Sequence, residues 1–139
     1  MFYQALGKIT VNTNGQSLIE ITKDIDSWIK KNNCMKGLLN IYIMHTSASL
    51  IIQENADPDV LEYLLNFFTK NIPYSNKYLH QSEGDDDMPA HIKSSITNTS
   101  LSLSIQEGFL NLGIWQGIYL FEHREKPHKR KINLHFIGE

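Results

Sequence analysis

The strongest constraint on the fold is an apolar run in the first half of the chain, Leu38-Leu39-Asn40-Ile41-Tyr42-Ile43-Met44. The run is too short for a typical helix and matches the length of one strand, so it predicts a central strand buried on both faces. His45 follows at once, where the apolar run gives way to polar sequence.

The end of the chain predicts a second long strand, over residues 129–137. Arg130, Ile132, Leu134 and Phe136 fall on one face of it, and Lys131, Asn133 and His135 on the other. Shorter patterns predict strands at 2–11, 18–21, 50–52, 100–105 and 113–122. Helices are predicted after Thr22 as N-cap, after Asp57 as N-cap with Pro58 at the first helical position, and from Pro89 to Thr97. The segment 74–88 between the last two helices is polar and predicts a long functional loop.

These elements predict an α+β fold: a compact single domain over residues 1–139, with largely antiparallel sheets and two to three helices. A chain of 139 residues that is 41% apolar suffices for one core. The net charge of −2 gives no reason to expect nucleic-acid binding. No segment approaches the ~20 apolar residues of a membrane span, and residues 1–5 lack the start of a signal peptide. With a single cysteine, Cys34, the chain is expected to be cytoplasmic.

Two candidate sites lie around the middle of the chain. The first is His45-Thr46-Ser47-Ala48-Ser49, where a strand end can hold a functional imidazole on a rigid support. The alternative is a partly buried histidine bonded to the backbone. The second is Glu54-Asn55-Ala56-Asp57-Pro58-Asp59, whose carboxylates can hold a metal or accept a proton. Helix capping alone accounts for Asp57 and Asp59, but not for Glu54 and Asn55.

The predicted loop contains two histidines around an acidic cluster: His80, Glu83, Asp85, Asp86, Asp87 and His91. Imidazole and carboxylate suit a divalent metal, either zinc or, if oxygen ligands dominate, magnesium. The alternative is a solvated loop in which one acid, Asp87, caps the next helix. The spacing matches no tight zinc motif.

Arg130 is predicted on the apolar face of its strand, where an unpaired guanidinium is unfavourable, so it needs a carboxylate or a bound anion. The alternative is an arginine that reaches solvent at a sheet edge. Trp115 and Gln116 stand between Gly113 and Gly117, which indicates a bend or a close backbone approach. The alternative is that Trp115 belongs to the core or to a subunit interface.

Taken in order, these motifs resemble the YjbQ-like family, an uncharacterised protein family, over nearly the whole chain. The motifs are His45 to Ser49, Glu54 to Asp57, His80, Gly84 to Asp86, Pro89 to His91, Leu112 to Gln116, and Arg130 before the final strand. The resemblance implies an α+β unit built on antiparallel sheet that assembles as a homotrimer. It also implies a weak thiamine-phosphate synthase (transferase) activity, which joins hydroxymethylpyrimidine diphosphate to a thiazole phosphate and releases diphosphate. The site is expected near the subunit boundary, where a metal or an anion binds.

The resemblance carries roles to individual positions. The expected catalytic residues are His45, Glu54, Asp86, His91 and Arg130. The expected substrate-binding residues are Ser47, Asn55, Asp57, Trp115, Gln116 and Arg130. The expected metal ligands, for zinc or magnesium, are His45, His80, His91 and Asp85. Two alternatives stay open: a metal-dependent hydrolase of a small substrate, and a non-catalytic trimer that binds a small phosphorylated or anionic molecule.

Overall fold

The computed structural model describes residues 1–139 and contains three helices and eight strands. The strands are β1 (Tyr3–Asn14), β2 (Ser17–Glu20), β3 (Gly37–Ile43), β4 (Ala48–Glu54), β5 (Ser100–Gln106), β6 (Phe109–Leu110), β7 (Gln116–Glu122) and β8 (Pro127–Gly138). The helices are α1 (Thr22–Lys31), α2 (Pro58–Asn71) and α3 (Asp87–Ile96). The α+β prediction is therefore confirmed, and β6 is the one strand that the sequence patterns missed.

The strands form two antiparallel sheets. The larger has the order β1-β8-β3-β5-β6, and the smaller has the order β2-β7-β4. β1 and β8 pair along all of their twelve residues, from Tyr3 opposite Gly138 to Asn14 opposite Pro127. In the smaller sheet β4 pairs with β7 from Ala48 opposite Glu122 to Glu54 opposite Gln116. These two ends of the β4–β7 ladder carry the polar motifs.

One apolar core joins both sheets and α1. Its residues include Leu39, Ile41 and Ile43 of β3, Ile118 and Leu120 of β7, and Ile132, Leu134 and Phe136 of β8. The prediction that β3 is buried on both faces is wrong, because Leu38 and Tyr42 are exposed on its outer face. β7 is the strand buried on both faces. Its Ile118 and Leu120 face the core, and its Phe121 packs edge-on against Phe68 of α2 with ring centroids 5.1 Å apart.

The helix starts follow the sequence only in part. Asp57 caps α2 as predicted, since its Oδ1 accepts the backbone N–H of Asp59 at 2.9 Å. Thr22 does not cap α1: it is the first helical residue, and its hydroxyl donates to Glu20 and accepts from the backbone of Ile118. The apolar residues of α2 are only half-buried, because this helix covers the small sheet from outside.

α3 starts two residues earlier than predicted, at Asp87. Neither Asp86 nor Asp87 makes a capping hydrogen bond there, so the interpretation of Asp87 as a helix cap is wrong. Both carboxylates are instead used by the polar network described below. No helix in the structure combines the length and apolar character needed to cross a membrane.

Candidate functional site

The start of α3 is fixed by Arg124, which follows the end of β7. Its Nε donates to Asp86 Oδ2 at 3.0 Å, its Nη1 to Asp87 Oδ1 at 2.7 Å, and its Nη2 to the carbonyl of Glu83 at 2.9 Å. Arg124 and both aspartates are buried. Burial opposes ionisation of Asp86, but hydrogen bonds from the backbone of Glu125 and from Arg124 outweigh it and lower the pKa of that carboxyl. A planar guanidinium suits this bridge between two carboxylates.

The free oxygen of Asp87 faces two histidines. Asp87 Oδ2 lies 2.7 Å from His80 Nε2 and 3.3 Å from His91 Nε2, and the two imidazole rings stand 5.2 Å apart. Asp87 and His91 are four residues apart on α3 and therefore share one face of the helix. The three ligand atoms lie within 4.8 Å of one another, close enough to hold one metal ion. The carboxylate is buried, whereas the rings of His80 and His91 reach solvent.

The hydrogen bonds of His91 determine which way its lone pair points. Its Nδ1 lies 2.9 Å from the carbonyl oxygen of Thr46, which can only accept, so Nδ1 carries a proton. A neutral His91 then presents an unprotonated Nε2 toward Asp87 Oδ2, lone pair against lone pair. A metal cation held by Nε2 and Oδ2 would be attracted to both lone pairs. Orientation of a ligating imidazole by a carbonyl on its other nitrogen is typical of metal sites.

A second buried network lies where β7 ends and β8 begins. Arg130 Nε donates to Glu122 Oε1 at 2.7 Å, and Nη2 donates to Glu122 Oε2 and to Ser47 Oγ, the latter at 3.0 Å. Burial disfavours the Glu122 carboxylate, but hydrogen bonds from Arg130 and Thr13 outweigh it and lower its pKa. Arg130 was expected to need a carboxylate or a bound anion, and in the structure its partner is the carboxylate of Glu122.

Comparison with known proteins shows the family of the chain. The sequence model of the family described as "UPF0047 protein YjbQ-like" matches residues 7–139. The chain belongs to the YjbQ-like family. It is 46% identical over 132 residues to a UPF0047 protein of Synechocystis, covering 94% of this chain and 90% of that protein. It is 40% identical over 141 residues to YjbQ of Escherichia coli O157:H7, covering 100% of both.

Solved structures of similar proteins have the same fold. A YjbQ/UPF0047 family protein from Clostridium acetobutylicum superposes with a TM-score of 0.83 at 34% identity, over 95% of this chain and 98% of that one. A protein of unknown function from Sulfolobus solfataricus P2 reaches a TM-score of 0.90 at 24% identity over 100% of both chains, which shows the shared fold.

The group of residues that could hold a metal differs from the one that the family resemblance implied. Asp87, not Asp85, is the carboxylate beside the histidines, because Asp85 is exposed and lies outside the group of three. His45 is also outside it: its Nε2 accepts the backbone N–H of Lys131 at 2.8 Å and is therefore not free to bind an ion. Burial and the nearby Arg130 lower the pKa of His45, which agrees with a neutral ring. The backbone of the next residue, Thr46, nevertheless positions His91.

Two residues expected to be catalytic are already occupied. Arg130 is buried, and its Nε and Nη2 bond Glu122 and Ser47, so within the single chain it is not free to contact substrate. Asp86 Oδ2 accepts from Arg124 and from the backbone of Glu125, which makes it a positioning residue. Ser47 lies beside Arg130 and belongs to the same buried network.

The other expected residues lie at the opposite end of the small sheet. Glu54 pairs with Gln116, and the backbone N–H of Asn55 donates to the carbonyl of Trp115 at 3.0 Å. Glu54 lies six residue steps along β4 from Ala48, which is at the His91 end, and this corresponds to about 20 Å. Asp57 is the cap of α2. A single chain therefore does not bring this group to the histidine cluster.

Sequence reasoning included Asp87 in the acidic cluster but left it out of the expected metal ligands, and it gave no role to Arg124 or Glu122. The spacing of Asp87 and His91, four apart at the start of a predicted helix, was a usable signal for one of them. Nothing in the sequence pairs Arg124 with residues 83–87, because that contact is made only by folding.

Proposed function

We propose that this YjbQ-like protein is a metal-dependent enzyme whose centre is His80, Asp87 and His91. The observation that carries the proposal is the arrangement of His91, whose Nδ1 is bonded to the Thr46 carbonyl while its Nε2 points at a buried carboxylate oxygen. Two imidazoles and one carboxylate are the donor set of many catalytic zinc sites, which leave one position open. Nitrogen ligands in the majority favour zinc or a similar ion over magnesium.

Metal-assisted hydrolysis of a small anionic substrate is the reaction that this donor set supports best. A bound zinc-type ion supplies Lewis acidity to a substrate oxygen and to water. Arg124 holds Asp87 from the side away from the histidines, and the Thr46 carbonyl holds His91, so two ligands are positioned before an ion arrives. His80 comes from the loop before α3 and is half-exposed, which leaves the approach from solvent open.

Thiamine-phosphate synthase activity is the second candidate, supported by the family resemblance. Release of diphosphate requires that developing negative charge be neutralised. Arg124 and Arg130 both bind carboxylates of the chain itself, so an ion held by His80, Asp87 and His91 would have to carry that charge. This candidate therefore depends on the same metal centre.

We further propose that the protein works as a homotrimer in the cytoplasm. Glu54, Asn55 and Gln116 are distant from the histidine cluster of their own chain. This separation supports assembly, because in a trimer these residues of a neighbouring copy can lie next to the histidine cluster. Ile114 and Trp115 are large, apolar and mostly exposed at that end of the sheet, as expected of interface residues. Analytical ultracentrifugation tests this: we expect a trimer, and a monomer at micromolar concentration would contradict it.

Metal content tests the proposed function directly. We expect about one zinc-type ion per purified chain by mass spectrometry of the metal, and at least a tenfold weaker affinity in His91→Ala and Asp87→Asn. The matched control is His135→Ala, because His135 is bonded to Gln4 at the β1–β8 pairing, away from α3. Hydrolysis of small phosphate esters, and condensation of the two thiamine precursors, are then measured with and without metal.

Three results would contradict the proposal. The first is a protein that binds no divalent metal when metal is added. The second is metal binding that His91→Ala leaves unchanged. The third is tight binding of anions with no turnover under any metal, which would favour a non-catalytic binder.

A further inference from the structure

A lysine on α3 is almost wholly buried and has no hydrogen-bond or ion-pair partner in the chain. Lys93 is 2% exposed and is among the largest buried side chains of the structure. Its Nζ is not fully shielded from solvent, since His123 Nδ1 is the one fully buried side-chain nitrogen or oxygen that lacks a partner. Lysine is almost never buried in this way unless it is paired.

The carboxylates near Lys93 do not serve as that partner. Asp86 is the acid whose charge acts on Lys93, but Arg124 Nε and the backbone N–H of Glu125 already bond its Oδ2. Tyr74 places the face of its ring 5.9 Å from Nζ, a weak cation–π contact that supplies no anion. The remaining opening for the ammonium group is a cavity.

That cavity has a volume of about 220 Å³ and lies between the end of α2, α3 and the turn after β1. Lys93 lines it together with Gln16, Thr69, Ile72, Pro73 and Tyr74. It is smaller than the ~300–1,000 Å³ pockets that take drug-sized ligands, so its ligand must be small. Thr69 and Tyr74 add two hydroxyls as hydrogen-bond donors around a single cation, whereas Gln16 Nε2 already donates to the carbonyl of His123 at 3.3 Å. Burial raises the pKa of the Tyr74 phenol, which keeps its proton available for donation.

We propose that this cavity is a binding site for a small anion, a carboxylate or a phosphate, held by Lys93 Nζ with the hydroxyls of Thr69 and Tyr74 as further donors. An anion there would give the Lys93 ammonium group the ion-pair partner that it lacks in the chain. The cavity is separate from the His80–Asp87–His91 cluster, which occupies another face of α3. The site therefore does not depend on the proposed metal centre.

Titration calorimetry with sodium phosphate and sodium acetate, in EDTA and at constant ionic strength, tests the proposal. We expect the wild-type chain to bind at least one of the two anions, and Lys93→Met to weaken that binding by about tenfold or more, since a hydrogen bond to a charged group accounts for such a factor. Lys70→Met is the matched control: it removes a lysine from exposed surface near the end of α2 and outside the cavity lining. It is expected to bind like wild type, as is His91→Ala.

Binding of acetate would identify a carboxylate site, and binding of phosphate alone would identify a phosphate site. Both results support the proposal. Tyr74→Phe, which removes one hydroxyl, is expected to weaken binding severalfold and gives a second test should Lys93→Met fold poorly. The proposal is overturned if neither anion binds, if Lys93→Met binds as tightly as wild type, or if His91→Ala abolishes binding.

Discussion

Replacing Glu122 by glutamine tests how strongly the buried Glu122–Arg130 pair is coupled to the fold. Every neighbour of the carboxylate is a donor: Arg130 Nε and Nη2, the Thr13 hydroxyl, and the backbone N–H groups of His123 and Arg124. Glutamine keeps the size of the side chain but turns one oxygen into an NH2 group that faces these donors. It also leaves the charge of Arg130, which is 3% exposed, without a counter-charge.

Removal of one partner from a buried ion pair costs about 3–5 kcal/mol. That is a large part of the ~5–15 kcal/mol that stabilises a domain. With a urea dependence near ~2 kcal/mol per molar, the unfolding midpoint should fall by about 2 M. The assay is urea unfolding followed by circular dichroism at a fixed protein concentration, so that assembly does not alter the comparison.

Two further variants make this prediction specific. Combining Glu122→Gln with Arg130→Met removes both charges and should recover most of the lost stability, because apolar replacement of a whole buried pair is often nearly neutral. Glu62→Gln on the exposed side of α2 is the control and should change stability by less than ~0.5 kcal/mol. The reasoning is refuted if the single variant loses less than ~1 kcal/mol, or if the double variant is no more stable than the single one.

Three further predictions follow from single contacts. His123 is buried and its pKa is lowered to about 3. Between pH 6.5 and 3 the unfolded chain therefore binds one more proton than the folded chain, and stability should fall as the pH drops through this range. His123→Gln should flatten this pH dependence, measured by urea unfolding at several pH values. Asp57→Ala should cost ~1 kcal/mol and Asp57→Asn almost nothing, whereas a larger effect of Asp57→Asn on substrate affinity than on stability would restore a binding role. Arg124→Lys cannot bridge Asp86 and Asp87 and should weaken metal affinity by about tenfold or more in a competition assay with a chelator; unchanged affinity would contradict the positioning role.

The sequence predicted most elements of the fold because their signals are local. Alternation identified β8, and the Asp57-Pro58 pair identified the start of α2. The burial of β3 was predicted wrongly. An apolar run is compatible both with a strand buried on two faces and with a strand whose outer residues, here Leu38 and Tyr42, remain exposed. Burial on both faces belongs to β7, which lies between the core and α2, and that layering is decided by tertiary packing.

The sequence predicted that histidines and acidic residues of this loop form the candidate site, but it did not predict which aspartate faces the histidines. That choice depends on which carboxylates are paired with an arginine. Among the consecutive aspartates, Asp85 faces solvent, Asp86 is bonded through Oδ2 to Arg124, and only Asp87 keeps an oxygen for the histidines. Arg124 lies 37 residues away from Asp87 in the chain, so no local pattern reveals this choice. Arg124 fixes the carboxylate of Asp87 through Oδ1 and leaves only Oδ2 to face the histidines. Which acid of this loop can join the histidines therefore depends on the position of Arg124 after β7, and the acidic residues alone do not determine it.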